Sequence, residues 1–224
     1  MHKINPTETK NTAMNPKTIK VFFLSILCMM LVAATQAASL VQGRIYLKDG
    51  SIIECAEKDR LKIPKHSQNV KLLRRAYYKD KSKEIYAFEA IDSIVCWHPS
   101  APEHPRKFIP VPKIGWLWVH LETPHICAGV YSSKGYGIDT NGGIEVWMKQ
   151  RYLSRSKTAY YLRKTGDSEF HDMGSASRNA KNVFRERIAE YISDDPVLAD
   201  QILESNTSNR SKTILMLQKY NPIY

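Results

Sequence analysis

Hydrophobic and polar positions alternate along residues 38–98. In the stretch GRIYLKDGSIIEC, Ile45 and Leu47 alternate with polar or amphipathic neighbours, and the pair Asp49-Gly50 separates them from a second apolar run. Such alternation is typical of half-buried strands, and an Asp-Gly pair between two of them predicts a hairpin with a type I′ turn. Further strands are predicted at LKI, NVKLLRRAYY, KEIYAFEA and IDSIVCW. Short antiparallel strands at this spacing favour a small β barrel or sandwich.

Prolines interrupt this pattern over residues 99–113. The stretch HPSAPEHPRKFIPVPK carries five of them, and such a composition favours an extended, stiff connector. We therefore predict a linker at 99–113, which separates the small β module at 38–98 from a second module at 114–224.

The second module begins with a pattern that is apolar on both sides. Trp116 and Trp118 share one face of a predicted strand, while Leu117 and Val119 share the other, as in a covered central strand. The stretches GWLWVHLE, HICAGVYSS, GGIEVWMKQ and TAYYLRKTG read as strands, and GYGIDTNGG is typical of a glycine-rich hairpin connection.

The pattern changes to helical spacing near the end of the chain. Apolar residues recur every three or four positions after Ser177, and Asp195 followed by Pro196 predicts the start of a second helix. A third helix is predicted at KTILMLQKY. The expected fold class is therefore α+β: a small antiparallel β barrel or sandwich module, followed by an antiparallel β-sheet module with C-terminal helices.

Residues 1–37 have the anatomy of a secretory signal peptide. Lys17 and Lys20 directly precede an apolar run at 21–34, and small residues follow it. The run is short for a membrane-spanning helix, which needs about 20 residues. We expect cleavage after Ala37, a mature chain without a transmembrane span, and a location in the periplasm or at the periphery of the cell envelope.

The charge of the chain is strongly basic. The formal net charge is +11, and removal of residues 1–37 takes away four lysines and one glutamate, which leaves +8. An exported basic protein meets envelope proteins, anionic lipids and acidic glycans, and we expect partners among these. Arg151, Arg155 and Lys157 in RYLSRSK are candidates for an anion-binding patch, although an exposed loop between strands is the favoured explanation for them.

No nucleic acid is expected as a partner. Tyr77 and Tyr78 are adjacent on a predicted strand, so their rings point to opposite faces and cannot stack bases from one surface.

The densest set of reactive side chains lies in HLETPHICAG, which contains His120, Glu122, His125 and Cys127. Residues two apart share a face of a strand, so His120 pairs with Glu122, and His125 pairs with Cys127. Imidazole and thiolate are zinc ligands, but strong zinc motifs repeat a pair such as C-x₂-C. We therefore predict no metal and no cofactor.

A cysteine hydrolase is the alternative chemistry for this stretch. Cys127 would be the nucleophile, with His120, His125 or His171 as the base and Asp139 as the group that orients it. The competing interpretation places Cys127 in the core, as a small hydrophobic residue of a strand.

Three cysteines remain after residue 37, so at least one thiol is unpaired within a single chain. Cys55 and Cys96 each end a predicted strand of the same module. The sequence leaves open whether they form a disulfide.

Two resemblances follow from these motifs. The hairpin at KDG and the closing stretch IDSIVCW resemble the Sm-like and SH3-like β barrels, which bind RNA, peptides or nothing. Together with YYLRKTGDSEFHDMG and AEYISDDPVLADQI, they are similar to uncharacterised exported proteins of Gram-negative anaerobes. That resemblance implies a location in the envelope and no assigned activity.

These observations favour a non-enzymatic binding or assembly module that is exported to the cell envelope. The alternatives are a Cys127-dependent hydrolase and a peripheral binder of anionic lipid or glycan.

Overall fold

A computed structural model describes residues 40–133, 135–138, 144–146, 158–175, 181–205, 207 and 209–222. The predicted signal peptide lies outside the described residues. So do four of the candidate site residues: Asp139, Arg151, Arg155 and Lys157.

The described secondary structure consists of strands followed by short helices. The strands are β1 Leu40–Leu47, β2 Ile52–Glu54, β3 Arg60–Lys62, β4 Val70–Arg74, β5 Ser82–Tyr86, β6 Ile91–His98, β7 Ala101–Val111, β8 Gly115–Glu122, β9 Ile126–Ser132, β10 Tyr136–Ile138, β11 Ile144–Val146, β12 Thr158–Lys164 and β13 His171–Ser175. The helices are α1 Lys181–Tyr191, α2 Pro196–Glu204 and α3 Arg210–Met216.

Eleven strands form one antiparallel sheet. Their order is β13-β12-β9-β8-β7-β6-β1-β3-β4-β5, with β2 paired to β1, while β10 and β11 form a separate two-stranded ribbon. The antiparallel α+β fold is therefore confirmed. The predicted barrel or sandwich is not, because among the described residues no pairing joins β13 to β5 and the sheet remains open.

The segment predicted as a linker is a strand of this sheet. Strand β7 pairs with β6 and with β8, and Phe108 has a register partner on each side. Its prolines are compatible with a strand because none of them lies where β7 pairs regularly with both of its neighbours. Pro102 and Pro105 lie beside a register shift in the β6 pairing, and Pro110 lies beyond Phe108, where β7 pairs with β8 alone. As a result, the two predicted modules share one sheet, within a compact unit that spans Ser39–Tyr224.

Strands β3 to β5 fold over the start of β8. The indole Nε1 of Trp116 donates to the Gln68 carbonyl at 2.8 Å, and its ring meets Phe88 edge-on at 5.4 Å. Trp116 and Leu117, on opposite faces of β8, are both fully buried, which confirms that the start of this strand is covered on both sides. A Cβ on the neighbouring Gly115 would lie 2.7 Å from the His66 carbonyl oxygen, so only glycine allows this close approach.

The first hairpin has a different turn from the one predicted. The amide of Gly50 donates to the Leu47 carbonyl and the amide of Leu47 to the Ser51 carbonyl, which makes a three-residue loop. Gly50 has φ +86, as expected for a type I turn followed by a glycine bulge. The carboxylate of Asp49 accepts hydrogen bonds from the amide and the hydroxyl of Ser51 and fixes this loop.

The helices follow the sheet in the chain, and α1 packs against its β12–β13 end. Phe184 of α1 meets Tyr160 of β12 at 5.3 Å. The predicted start of α2 is confirmed, because the Asp195 side chain accepts a hydrogen bond from the Leu198 amide and Pro196 follows it. None of the described helices is both long enough and apolar enough to cross a membrane.

Candidate functional site

A bulge separates the reactive side chains of HLETPHICAG. The pairing of β8 with β9 shifts between Val119 and Leu121, so His120 is an extra residue on β8. The Nε2 of His120 lies 2.6 Å from the hydroxyl of Ser211 on α3, on the helix side of the sheet. Glu122 is the register partner of Cys127, on the opposite face. The prediction that His120 and Glu122 share a face is therefore wrong.

Cys127 has the environment of a core residue. Its exposed fraction is 8%, and burial raises the pKa of its thiol to about 11. A nucleophilic cysteine needs the opposite shift, toward a thiolate at neutral pH. The geometry of Cys127 thus offers the hydrolase hypothesis no support.

The candidate bases contact other groups. The ring of His125 lies 6.4 Å from that of Tyr220, and the Nε2 of His171 lies 3.6 Å from an Asp167 carboxylate oxygen. Burial and the nearby Arg106 lower the pKa of His120. Within the described part of the chain, no group of three or more His, Cys, Asp or Glu side chains is placed to hold a metal ion.

The cysteines of the described residues are free thiols. Cys55 and Cys96 both adjoin Gly43: the amide of Cys55 donates to the Gly43 carbonyl, and Cys96 is the register partner of Gly43 on β6. Burial raises the pKa of Cys55 to about 11, and it raises the pKa of Cys96 still further.

A polar network connects the end of β12 with the helices. The Nζ of Lys164 lies 2.9 Å from both carboxylate oxygens of Asp194, and the hydroxyl of Tyr220 donates to the same carboxylate at 2.8 Å. The Lys164 amide donates to the hydroxyl of Tyr191, which donates in turn to Asp167. These bonds border an open cleft of 590 Å³.

The hydrogen-bonding groups of this network are paired with one another. The hydrogen bond from Tyr191 lowers the pKa of Asp167. Burial by itself would raise the pKa of Asp194, but the hydrogen bonds from Lys164 and Tyr220 outweigh it and the pKa is lowered. Burial and the Asp167 carboxylate raise the pKa of Tyr191, so its phenol stays protonated at neutral pH. The network therefore fixes the helices on the sheet and provides no free base.

The outer surface of β3, β4 and β5 has a different character. The register places Lys62 opposite Lys71 and Lys71 opposite Ile85. It also places Arg60 opposite Leu73 and Leu73 opposite Lys83, on the same side of the sheet. We call these six side chains the basic face: Arg60, Lys62, Lys71, Leu73, Lys83 and Ile85. Within these three described strands, no outward position carries a carboxylate.

The acidic groups of this region point the other way. On the inner side, Arg74 donates to Asp59 and Glu84, each at 2.8 Å, and the hydroxyl of Tyr86 donates to Glu84 at 2.6 Å. The pKa of Glu84 is lowered, chiefly by its hydrogen bond from Arg74. Because the carboxylates are neutralised on the inner side, the outer side is left with an excess of positive charge.

Exposed aromatic and aliphatic groups accompany the basic face. Strand β4 ends at Arg74 and Arg75 has φ +49, so Tyr77 and Tyr78 lie in a turn. The expectation that they lie on a strand is therefore wrong. Tyr77 is 67% exposed, with the Arg60 guanidinium 5.2 Å from its ring centre, and Ile85 is 53% exposed.

The sequence contains a signal for this surface, although no single motif shows it. Alternation in RLK, VKLLR and SKEIY places a lysine or arginine at four of the six outward positions of three consecutive strands, and Leu73 and Ile85 at the other two. Their assembly into one face depends on register, which pairs residues of separate strands.

Comparison with known protein families, curated proteins and solved structures finds no match for this chain.

Proposed function

We propose that this protein is exported to the cell envelope and acts without catalysis, as a peripheral protein that binds an anionic membrane surface. The observation that carries this proposal is the basic face, with its four cations on three adjacent strands. The expectation of export rests on the sequence of residues 1–37.

The arrangement of charge supports a ligand of opposite sign. Lys62 and Lys71 are direct cross-strand neighbours, and like charges in that position destabilise a sheet. An anionic surface removes this repulsion when it binds. Each lysine or arginine close to such a surface contributes about 1 kcal/mol of attraction.

The apolar groups beside the charges favour a membrane over a soluble polyanion. Ile85 is exposed within the basic face, and Tyr77 projects from the turn after β4. Tyrosine is enriched at membrane interfaces, where its ring contacts the acyl boundary and its hydroxyl contacts water. An aliphatic side chain such as Ile85 gains nothing from a hydrated acidic polymer but is buried by a lipid surface.

The test is vesicle sedimentation with residues 38–224, which include the whole compact unit Ser39–Tyr224. We expect binding to vesicles that contain phosphatidylglycerol, weak binding to phosphatidylcholine alone, and a decrease from low to physiological salt. The double variant Lys62→Glu/Lys71→Glu should lose the binding. The matched control is Lys212→Glu/Lys219→Glu, which changes the net charge equally at exposed positions on and after α3.

Two outcomes would overturn the proposal. One is binding to both kinds of vesicle with no dependence on salt. The other is strong binding to a soluble acidic polysaccharide without binding to vesicles, which would identify a glycan ligand instead. Mass spectrometry of the protein from cells checks the expected N-terminus at Ala38 independently.

A further inference from the structure

A second surface feature, formed by residues other than those of the basic face, is a groove of 470 Å³ beside the turn that joins β7 to β8. The end of β7 forms one wall, with Ile109 and Val111, and Ile114 follows in the turn. The β12–β13 loop closes it with Phe170, and the fully buried Ile91 lies at its base. Its volume lies within the usual range for small-molecule sites, about 300–1,000 Å³.

Charged groups surround these apolar walls. Three cations and two carboxylates line the groove: Lys48, Lys113, Arg163, Asp92 and Glu169. The Nζ of Lys113 and a carboxylate oxygen of Glu169 are 4.0 Å apart, and both side chains are mostly exposed, so this pair is weak. The lining therefore carries an excess of one positive charge.

Arg163 is the cation best fixed in position. Its guanidinium lies 4.7 Å from the centre of the Phe170 ring, and stacking of this kind restrains the side chain. Its planar guanidinium carries several N–H donors, which suits a carboxylate because arginine binds that group in a bidentate manner.

We infer that the groove is a binding site for a small amphiphile with a single carboxylate and an apolar tail. The tail lies on Ile109, Val111 and Phe170, and the carboxylate binds Arg163. The groove shares no residue with the basic face, so this inference does not depend on the proposed membrane binding.

The test is calorimetric titration of residues 38–224 with dodecanoate, and with dodecanol as the uncharged probe of equal chain length, both below their aggregation concentrations. We expect dodecanoate to bind more tightly than dodecanol. Arg163→Met keeps an unbranched side chain but removes the charge, and it should weaken dodecanoate binding about tenfold or more while dodecanol binding stays constant. Equal affinities for the two probes, or an unaffected Arg163→Met variant, would refute the inference.

Three controls make the result specific. Lys212→Met removes an exposed cation far along the chain and should leave both affinities unchanged. Lys62→Glu/Lys71→Glu should also leave dodecanoate binding unchanged, which excludes the basic face as its site. Ile114→Trp should fill the groove and weaken both probes, with an unchanged melting temperature as the check on folding.

A photoreactive dodecanoate locates the site without any mutation. Crosslinks are expected in the peptides that contain residues 109–114 and 168–170. Crosslinks confined to other peptides would place the site elsewhere and overturn the assignment of the groove.

Discussion

The ammonium of Lys164 contacts both carboxylate oxygens of Asp194 at 2.9 Å, and this pair joins the last residue of β12 to the turn between α1 and α2. Tyr220, near the end of the described chain, donates to the same carboxylate. One acidic side chain therefore connects the sheet, the helix turn and the segment after α3.

Asp194→Asn should reduce the free energy of unfolding. The amide keeps the size of the side chain but loses the charge-assisted bonds, and a partly exposed pair of this kind contributes about 1 kcal/mol. Denaturant unfolding measures the loss. The control is Asp200→Asn, an exposed position on α2, where the change should stay within about 0.5 kcal/mol. Equal effects of the two variants would contradict the role assigned to Asp194.

Stability should also fall in acid for the same reason. The pKa values of Asp167 and Asp194 are lowered in the folded protein, so their stabilisation is fully present above the unfolded pKa of about 3.9 and is lost as the pH falls through the folded values. Urea midpoints at neutral pH and at several acidic pH values measure the decrease. The Asp194→Asn variant should show a smaller decrease than the unmodified protein. Equal decreases in the two proteins would show that Asp194 does not contribute to the loss of stability in acid.

Gly115→Ala should be strongly destabilising. The residue has φ +113, and the added Cβ would lie 2.7 Å from the His66 carbonyl oxygen. Gly166→Ala is the matched control, because Gly166 has φ +101 but open space around its Cβ position. Backbone strain of about 1–3 kcal/mol applies to both, so the excess loss in Gly115→Ala, about 1 kcal/mol or more, reports the contact between β8 and the β3–β5 layer. Thermal melts of the two variants measure the difference between their losses of stability. Equal losses would show that the close contact with His66 adds no destabilisation.

Lys71→Thr should raise stability while it weakens membrane binding. The change removes the repulsion with Lys62 and introduces a residue with high strand propensity, which together give about 0.2–1 kcal/mol. Unfolding in denaturant and vesicle sedimentation measure the two effects on the same protein. A loss of stability in Lys71→Thr would show that repulsion between the two lysines does not destabilise the fold.

Ile85→Ser separates the apolar contribution from the charge. It should weaken vesicle binding without altering the dependence on salt, since the number of cations is unchanged, whereas Lys71→Thr should reduce that dependence. Binding measured over a series of salt concentrations distinguishes the two slopes. An Ile85→Ser variant that binds as tightly as the parent would show that the exposed side chain does not enter the lipid surface.

Thiol labelling tests the place of Cys127 in the core. Its raised pKa, about 11, and its burial both predict slow reaction with iodoacetamide at neutral pH, and fast reaction after unfolding. Mass spectrometry of the labelled peptides assigns the reaction to each cysteine. Rapid labelling of Cys127 in the folded protein would restore the nucleophile hypothesis.

Local patterns in the sequence determined most of the elements. Alternation of apolar and polar residues located β1, because a strand with one buried face has a period of two whatever it pairs with, and apolar runs located β8 and β9, which are covered on both faces. The Asp195-Pro196 pair located the start of α2 for an equally local reason, since the side chain caps the amides of the next turn.

Tertiary structure decided what those elements do together. The prolines of β7 suggested a linker, yet partners on both sides make it a central strand, and no local pattern records a partner. The bulge at His120 turns that side chain away from Glu122 and Cys127, so these three candidate residues do not meet on one face of the sheet. Register also gathers lysines from separate strands into the basic face. Periodicity fixes which residues of one strand share a side, but only pairing between strands fixes which side chains meet.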